Sequence, residues 1–268
     1  MCLLVVAWRS HAVHRVVLAA NRDEYHGRAA APMAVWNSPP HILAGRDLQA
    51  GGAWLGVDRH RRFGIITNYR EMTRAGPGAP SRGELIPRYL DTRESAGEYL
   101  ARLQADAARY AGFSLLLGDH DQLWYASNRI DPFARQLEPG IYGLSNHFLD
   151  TPWPKLLRVR ARMQEALATA HSPGIERHLF AALEDRTRAE LHDLPATGVP
   201  PEWEMTLSSP FIVHPEYGTR CATVALLGSG EADRVIERRY DPCGNAQGED
   251  EFQLNELAWR EPASAQPL

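Results

Sequence analysis

Cys2-Leu3-Leu4-Val5-Val6-Ala7-Trp8-Arg9 and Arg15-Val16-Val17-Leu18-Ala19-Ala20-Asn21-Arg22-Asp23, followed by Glu24, are the stretches whose reading decides the fold. Both are rich in strand-forming residues, and the polar link Ser10–His14 between them is short enough for a hairpin. The second run ends abruptly in four polar residues. Antiparallel pairing across so short a link brings residues 21–24 alongside Cys2.

Outward from this hairpin the chain continues as further hairpins with helices between them. Gly27 to Gly52 reads as loop, rich in Pro and Ala. Trp54–Val57 and Phe63–Asn68 predict a second hairpin, and Phe113–Gly118 with Gln122–Ser127 a third. Ile141–Ser145 predicts a short strand. Thr223–Leu227 and Val235–Tyr240 close the pattern as a final hairpin. Ser81 is placed to cap a helix to about Leu90, although Pro87 falls inside it. Ser95–Tyr110, Trp153–Ala168 and Ile175–Glu184 predict helices, the second of them with Leu156, Val159, Met163 and Leu167 on one face. No repeat and no composition break marks a linker, so residues 1–257 read as one domain and 258–268 as a frayed tail. The class is α+β. Two antiparallel sheets with helices outside, a four-layer αββα sandwich, satisfy the pattern, and so does a single-sheet fold.

The chain has 268 residues, 44% hydrophobic and 23% charged, which excludes a disordered or fibrous protein. Its net charge of −4 gives no basic excess for a polyanion, so no nucleic-acid partner is expected. Lys155 is the only lysine, which reads as codon usage without functional content. No apolar run approaches the ~20 residues needed to span a bilayer, and no signal peptide is recognisable. The three cysteines, Cys2, Cys221 and Cys243, are scattered and form neither a disulfide framework nor a metal pair. A reduced cytoplasmic setting is therefore expected, with no metal and no cofactor. The oligomeric state is left open.

Cys2 carries the most chemistry. A small residue after Met1 suits removal of the initiator methionine, which makes Cys2 the mature N-terminus. Its α-amine, titrating near ~7.7–8.0, and its thiol, near ~8.5, then sit on one residue. A terminal amine can act as base for its own nucleophile. Against this stands the plainer role of a small hydrophobe starting a buried strand. Asn21-Arg22-Asp23-Glu24 tips the balance: an arginine beside the thiol favours thiolate, and a carboxylate can hold the amine.

Cys2, Asn21-Arg22-Asp23-Glu24, Gly51-Gly52-Ala53-Trp54-Leu55-Gly56, Thr67-Asn68-Tyr69-Arg70 and Tyr217-Gly218-Thr219-Arg220 together resemble the Asn-Arg-Asp-Glu family, also called the transport and Golgi organisation protein 2 family. The motifs occur in the family's order over nearly the whole chain. The resemblance implies an N-terminal-nucleophile hydrolase fold, four layers αββα, similar to the penicillin V acylases and bile-salt hydrolases that begin with a catalytic cysteine. It implies Cys2 as nucleophile, Arg22 beside the thiol and Asp23 on the α-amine. In those acylases the arginine and aspartate are separated, whereas here they adjoin. Neighbours on a strand point to opposite faces, so both can face Cys2 only if the strand bulges or ends there. Glu24 shares Arg22's face and is the rival carboxylate. Asn146, in Leu144-Ser145-Asn146, resembles the oxyanion asparagine of the acylases. Arg220 resembles an arginine lying near their nucleophile.

Asn68 ends a predicted strand where packing needs no amide. With Asn21, Glu24, Trp54 and Arg220 it belongs to the expected oxyanion or substrate-binding set. Gly51-Gly52 lets backbone approach closely, with Trp54 lining a pocket. Zinc-protease, nucleotide-binding and nucleophile-elbow motifs are absent. Two functions lead: a cysteine amidohydrolase or acylase for a small amide or acyl substrate, or a non-catalytic binder of a lipid-like or haem-like ligand on the same fold. A purely structural interaction protein ranks third, because it leaves the polar cluster near Cys2 without a role.

Overall fold

The structure is a computed structural model and describes residues 2–39, 41–71, 76, 78–169, 174–228, 230 and 232–259. Met1 and most of the expected tail lie outside the described residues. In chain order the elements are β1 (Cys2–Trp8), β2 (Val16–Tyr25), β3 (Ala30–Val35), β4 (Ile42–Asp47), β5 (Leu55–Asp58), β6 (Phe63–Asn68), α1 (Leu85–Leu90), α2 (Ala96–Leu103), β7 (Phe113–Gly118), β8 (Leu123–Ser127), β9 (Ala134–Leu137), β10 (Gly140–Leu144), α3 (Pro154–Thr169), α4 (Ile175–Leu183), α5 (Pro201–Leu207), β11 (Tyr217–Leu227), β12 (Arg234–Tyr240) and β13 (Ala246–Gln253). One sheet has the order β10-β1-β2-β11-β12-β13 and the other runs β3 to β9 in sequence order. Every pairing is antiparallel.

Alternation along β1 and β2 builds two apolar layers at once. Leu4, Val6, Trp8, Val16, Leu18 and Ala20 meet Leu55, Val57, Phe63, Ile65 and Leu116 of the second sheet. Leu3, Val5, Ala7, Val17 and Ala19 pack outward on Leu156, Val159 and Met163 of α3 and Leu179 and Leu183 of α4. Ile42, Ala44, Ile66, Leu115 and Leu117 carry α1 and α2 on the far face of the second sheet. The result is the four-layer αββα sandwich. Burial on both faces explains why β1 reads as an unbroken apolar run.

Several elements differ from the sequence reading. The presumed loop at 27–52 contains β3 and β4. Pro32 breaks the pairing pattern of β3, whose register slips between Ala31 and Ala34, a defect that only an edge strand accommodates. The chain also continues past Tyr240 into β13, a largely exposed edge strand whose Glu249 and Asp250 pair with Arg238 and Arg239 of β12. Short β9 and α5 lacked enough periodicity to be seen. The helix expected to Tyr110 ends at Leu103, while Ser95 caps its start with Glu98 in a reciprocal capping box. Pro87 lies in the first turn of α1, where a missing N–H breaks no helical bond. Trp259, at the head of the expected tail, packs on the inter-sheet core and donates its indole N–H to the Leu254 carbonyl (3.0 Å).

Candidate active site

Cys2 opens β1 directly opposite Arg22 of β2, and alternation puts both side chains on the inter-sheet face. Both are buried. They line a cleft of about 120 Å³ at the end of the sandwich, together with Asp23, Glu24, Arg28, Asp47, Trp54, Asn68 and Arg82. Burial pushes the Cys2 thiol up from its ordinary pKa, Asp23 and Glu24 push the same way, and Arg22 opposes them. Burial and the two carboxylates thus favour the protonated thiol over the thiolate.

β2 neither bulges nor ends at Arg22. It stays in register from Trp8↔Val16 through Cys2↔Arg22 and runs on to Tyr25. The irregularity lies in the next strand, between Thr219 and Cys221 of β11. Arg22 and Asp23 consequently take opposite faces, contrary to the condition under which both would face the thiol. Arg22 lies on the thiol's side, its guanidinium 4.4 Å from the centre of the Trp54 ring and 3.4 Å from Asp47 Oδ2. Asp23 lies on the helix side, 1% exposed, accepting a hydrogen bond from Thr219 Oγ1 at 2.7 Å. Burial raises the Asp23 pKa, and the charge of Lys155 is the largest influence pulling it back down. Glu24 lines the cleft on Arg22's face, 3.8 Å from Arg28 Nε.

Asp47 organises this wall. Its Oδ1 accepts the Gln49 and Ala50 amides at 3.0 and 2.9 Å, and its Oδ2 takes Arg28 Nε at 2.6 Å. Burial alone would raise this carboxyl, but the Arg28 hydrogen bond, the two amides and the Arg28 charge together hold it below its ordinary pKa. Behind it, a Cβ on Gly45 would come within 2.3 Å of the Trp54 ring, so the glycine makes room for the indole. A Cβ on Gly52 would lie 2.3 Å from the Gly83 carbonyl carbon, which is the close backbone approach that the glycine pair suggested.

Asn68 and Asn146 come together where the two sheets meet. Asn146 is fully buried in a left-handed conformation (φ 57°), and its Nδ2 donates to the Asn68 carbonyl at 3.0 Å. The Arg70 amide returns a bond to the Asn146 carbonyl at 2.7 Å. Ser145 Oγ donates to the Cys2 carbonyl at 3.2 Å, tying this turn to the start of β1. Asn68 itself lines the cleft.

Asn146 is not among the residues that line the cleft, and neither are two further expected residues. Asn21 faces the helix layer, where its Nδ2 donates to the Leu183 and Pro210 carbonyls at 2.8 and 3.0 Å. Arg220 occupies the β11 irregularity and clamps the loop after β2, with Nη1 donating to the Tyr25, His26 and Arg28 carbonyls at 3.1, 3.2 and 3.4 Å. It thereby fixes the segment that delivers Arg28 to the cleft.

The sequence reading missed Arg28, Asp47, Arg82 and Lys155. Lys155 is 2% exposed, and its Nζ has no hydrogen-bond partner among the described residues. Burial drives its pKa down to about 8, against the pull of Asp23. A signal for it existed: positions 155, 159 and 163 share one helix stripe, so the sole lysine stands in line with buried Val159 and Met163.

A cysteine opening an inner strand of an αββα sandwich, at the rim of a polar cleft between its sheets, defines an N-terminal-nucleophile-hydrolase-like fold. Residues 1–242 match the model of the family described as Transport and Golgi organisation 2, and the chain belongs to that family. The mouse Transport and Golgi organization 2 homolog is 36% identical over 162 residues, 58% of each chain. The Bos taurus Transport and Golgi organization protein 2 homolog is 32% identical over 240 residues, 84% of this chain and 86% of that one. Among solved structures, a Caenorhabditis elegans N-acylethanolamine-hydrolyzing acid amidase ortholog is similar, with a TM-score of 0.49 and 10% identity over 86% of this chain and 95% of that one. Among the described residues, no helix is long and apolar enough to cross a membrane.

Proposed function

We propose that this protein is a cysteine N-terminal-nucleophile amidohydrolase acting on a small amide or acyl substrate, with Cys2 as nucleophile once Met1 is removed. One observation carries the reading: Cys2 opens β1 at the cleft, with Arg22 on its own face and Asp23 on the opposite face of the adjoining strand. In this reading the two faces divide the work. Arg22 favours negative charge on sulfur, and Asp23 holds the α-amine that removal of Met1 creates. Because the thiol pKa is raised by burial, attack is coupled to proton removal, and the amine supplies that base.

The amine accepts the thiol proton as sulfur bonds to the substrate carbonyl carbon. An amide nitrogen has two N–H groups; one of Asn146's is spent on the Asn68 carbonyl, and the other stabilises the oxyanion. The amine then passes its proton to the departing nitrogen, leaving a thioester on Cys2. Water, deprotonated by the same amine, releases the acid. The test is the intact mass of protein from its native host, followed by incubation with a p-nitrophenyl acyl ester. The expected result is a mass lacking one methionine and an acyl adduct on Cys2 that C2A abolishes while folding normally. Retained Met1, or acyl turnover surviving in C2A, overturns the mechanism.

A further inference from the structure

The cleft is lined by three arginines, Arg22, Arg28 and Arg82, and three carboxylates, Asp23, Glu24 and Asp47, which are unevenly paired. Asp47 is shared by Arg22 and Arg28, Glu24 lies 3.8 Å from Arg28 Nε, and Asp23 is faced by Lys155. Arg70, on the helix side, is taken by Glu204 of α5. That leaves Arg82. Its Nη1 donates to the Gly112 carbonyl at 2.8 Å, while Nε and Nη2 make no hydrogen bond, and no carboxylate lies within ion-pair distance, among the described residues. Glu71, the acid that attracts it most, is itself held by both prongs of Arg129 at 2.7 Å. Burial lowers the Arg82 pKa from its ordinary value, against the opposing pull of Glu71 and Glu24.

A second guanidinium belongs to the same cleft. Arg22, 5% exposed and lining the cleft, leaves its Nη1 buried without a hydrogen-bond partner. A buried guanidinium N–H with no acceptor is costly unless something else fills the role. Arg82 thus brings an open guanidinium fork to a cleft that Arg22 also lines.

We infer that the cleft takes amides bearing a carboxylate, with the carboxylate seated on Arg82 within reach of Arg22 Nη1. The open Nε and Nη2 of Arg82 form a guanidinium fork that fits a carboxylate with two parallel hydrogen bonds. The inference rests on the reading of Cys2 as the reacting group, so its test has one arm that uses Cys2 and one that does not.

In the first arm, Cys2 is alkylated by iodoacetate and by iodoacetamide, the sulfur displacing iodide in each case, and the two rates are compared with those of free glutathione at the same pH. The iodoacetate-to-iodoacetamide ratio should exceed that of glutathione by about tenfold, fall to the glutathione value in Arg82→Gln and be largely kept in Arg82→Lys. In the second arm, carried out in C2A, N-acetylglycine should bind about tenfold tighter than neutral N-acetylglycinamide, with the difference lost in C2A bearing R82Q. A cleft that shows no preference for the anionic reagent and none for N-acetylglycine overturns the carboxylate site. A preference that survives R82Q overturns the role of Arg82. If Cys2 resists both reagents while N-acetylglycine is still preferred, the nucleophile reading falls and the anion site stands.

Discussion

Replacing Lys155 with methionine removes a buried charge while keeping an unbranched chain of similar length. The amine's pKa falls from an ordinary 10.5 to about 8. At about 1.36 kcal/mol per unit, the folded state carries a penalty of roughly 3 kcal/mol for keeping this group protonated. The sign follows from proton counts. Between about pH 8 and pH 10.5 the unfolded chain holds the proton and the folded one does not, so wild-type stability rises with pH across that window. Below the window the full penalty is present. No carboxylate lies within ion-pair distance of Lys155 among the described residues, so the substitution breaks no close pair. K155M should therefore be more stable than wild type by roughly 3 kcal/mol at pH 7, or about 6–12 °C in Tm for a domain of this size. The advantage should shrink towards zero near pH 10.5. Guanidinium unfolding followed by tryptophan fluorescence at several pH values reads both quantities. A K155M protein that is less stable at pH 7, or whose advantage does not change with pH, refutes the reasoning. The same variant leaves Asp23 without its largest counter-charge and should lose acyl transfer while gaining stability, a common trade at strained sites.

Two further substitutions test the cleft's construction. Gly52→Ala forces a methyl to within 2.3 Å of the Gly83 backbone, and should cost about 1–3 kcal/mol in denaturant unfolding; an unchanged midpoint would show that the approach is not tight. Asn146→Gly retains the left-handed backbone and gives up the hydrogen bond to Asn68, so it should lose about 1 kcal/mol of stability, whereas Asn146→Ala should lose more because φ of 57° strains alanine. Both should lower acyl transfer about 10²–10³-fold if the amide meets the oxyanion, and full activity in Asn146→Gly would remove it from the mechanism.

The parts of the site that sequence makes legible are those joined by short-range geometry. Cys2 and Arg22 meet because a short link dictates their pairing, and alternation alone assigns the face of each residue after that. Glu24 was correctly set on Arg22's face for the same reason. The face of Asp23 was less legible, because it depends on whether β2 runs unbroken past Arg22, as it does. Asp47 was invisible because β4 carries too short a pattern to stand out from its loops, and Arg28 because it lies in the loop after β2; their meeting depends on sheet-to-sheet docking. Arg82 follows the helix cap at Ser81, which local rules did find, but the cap says nothing about the cleft beyond it. Asn21 and Arg220 show the converse. Their motif context was plain, yet their donors are spent on backbone carbonyls that only the folded chain brings near.

The order of strands in the first sheet has a consequence for the nascent chain. β1 and β2 emerge from the ribosome before their sheet neighbours: β1 gains its outer neighbour only with β10, and β2 only with β11, which ends at Leu227. The intervening sheet is a meander that can form hairpin by hairpin as it emerges. Cys2 and its neighbours must wait. Any chain that stops short of Leu227 leaves β2 with a bare edge and the cysteine end of the sheet unfinished. Synthesis thus keeps the thiol from its completed surroundings until most of the polypeptide exists, and a fragment released early would carry an apolar hairpin ready to pair with whatever strand it meets.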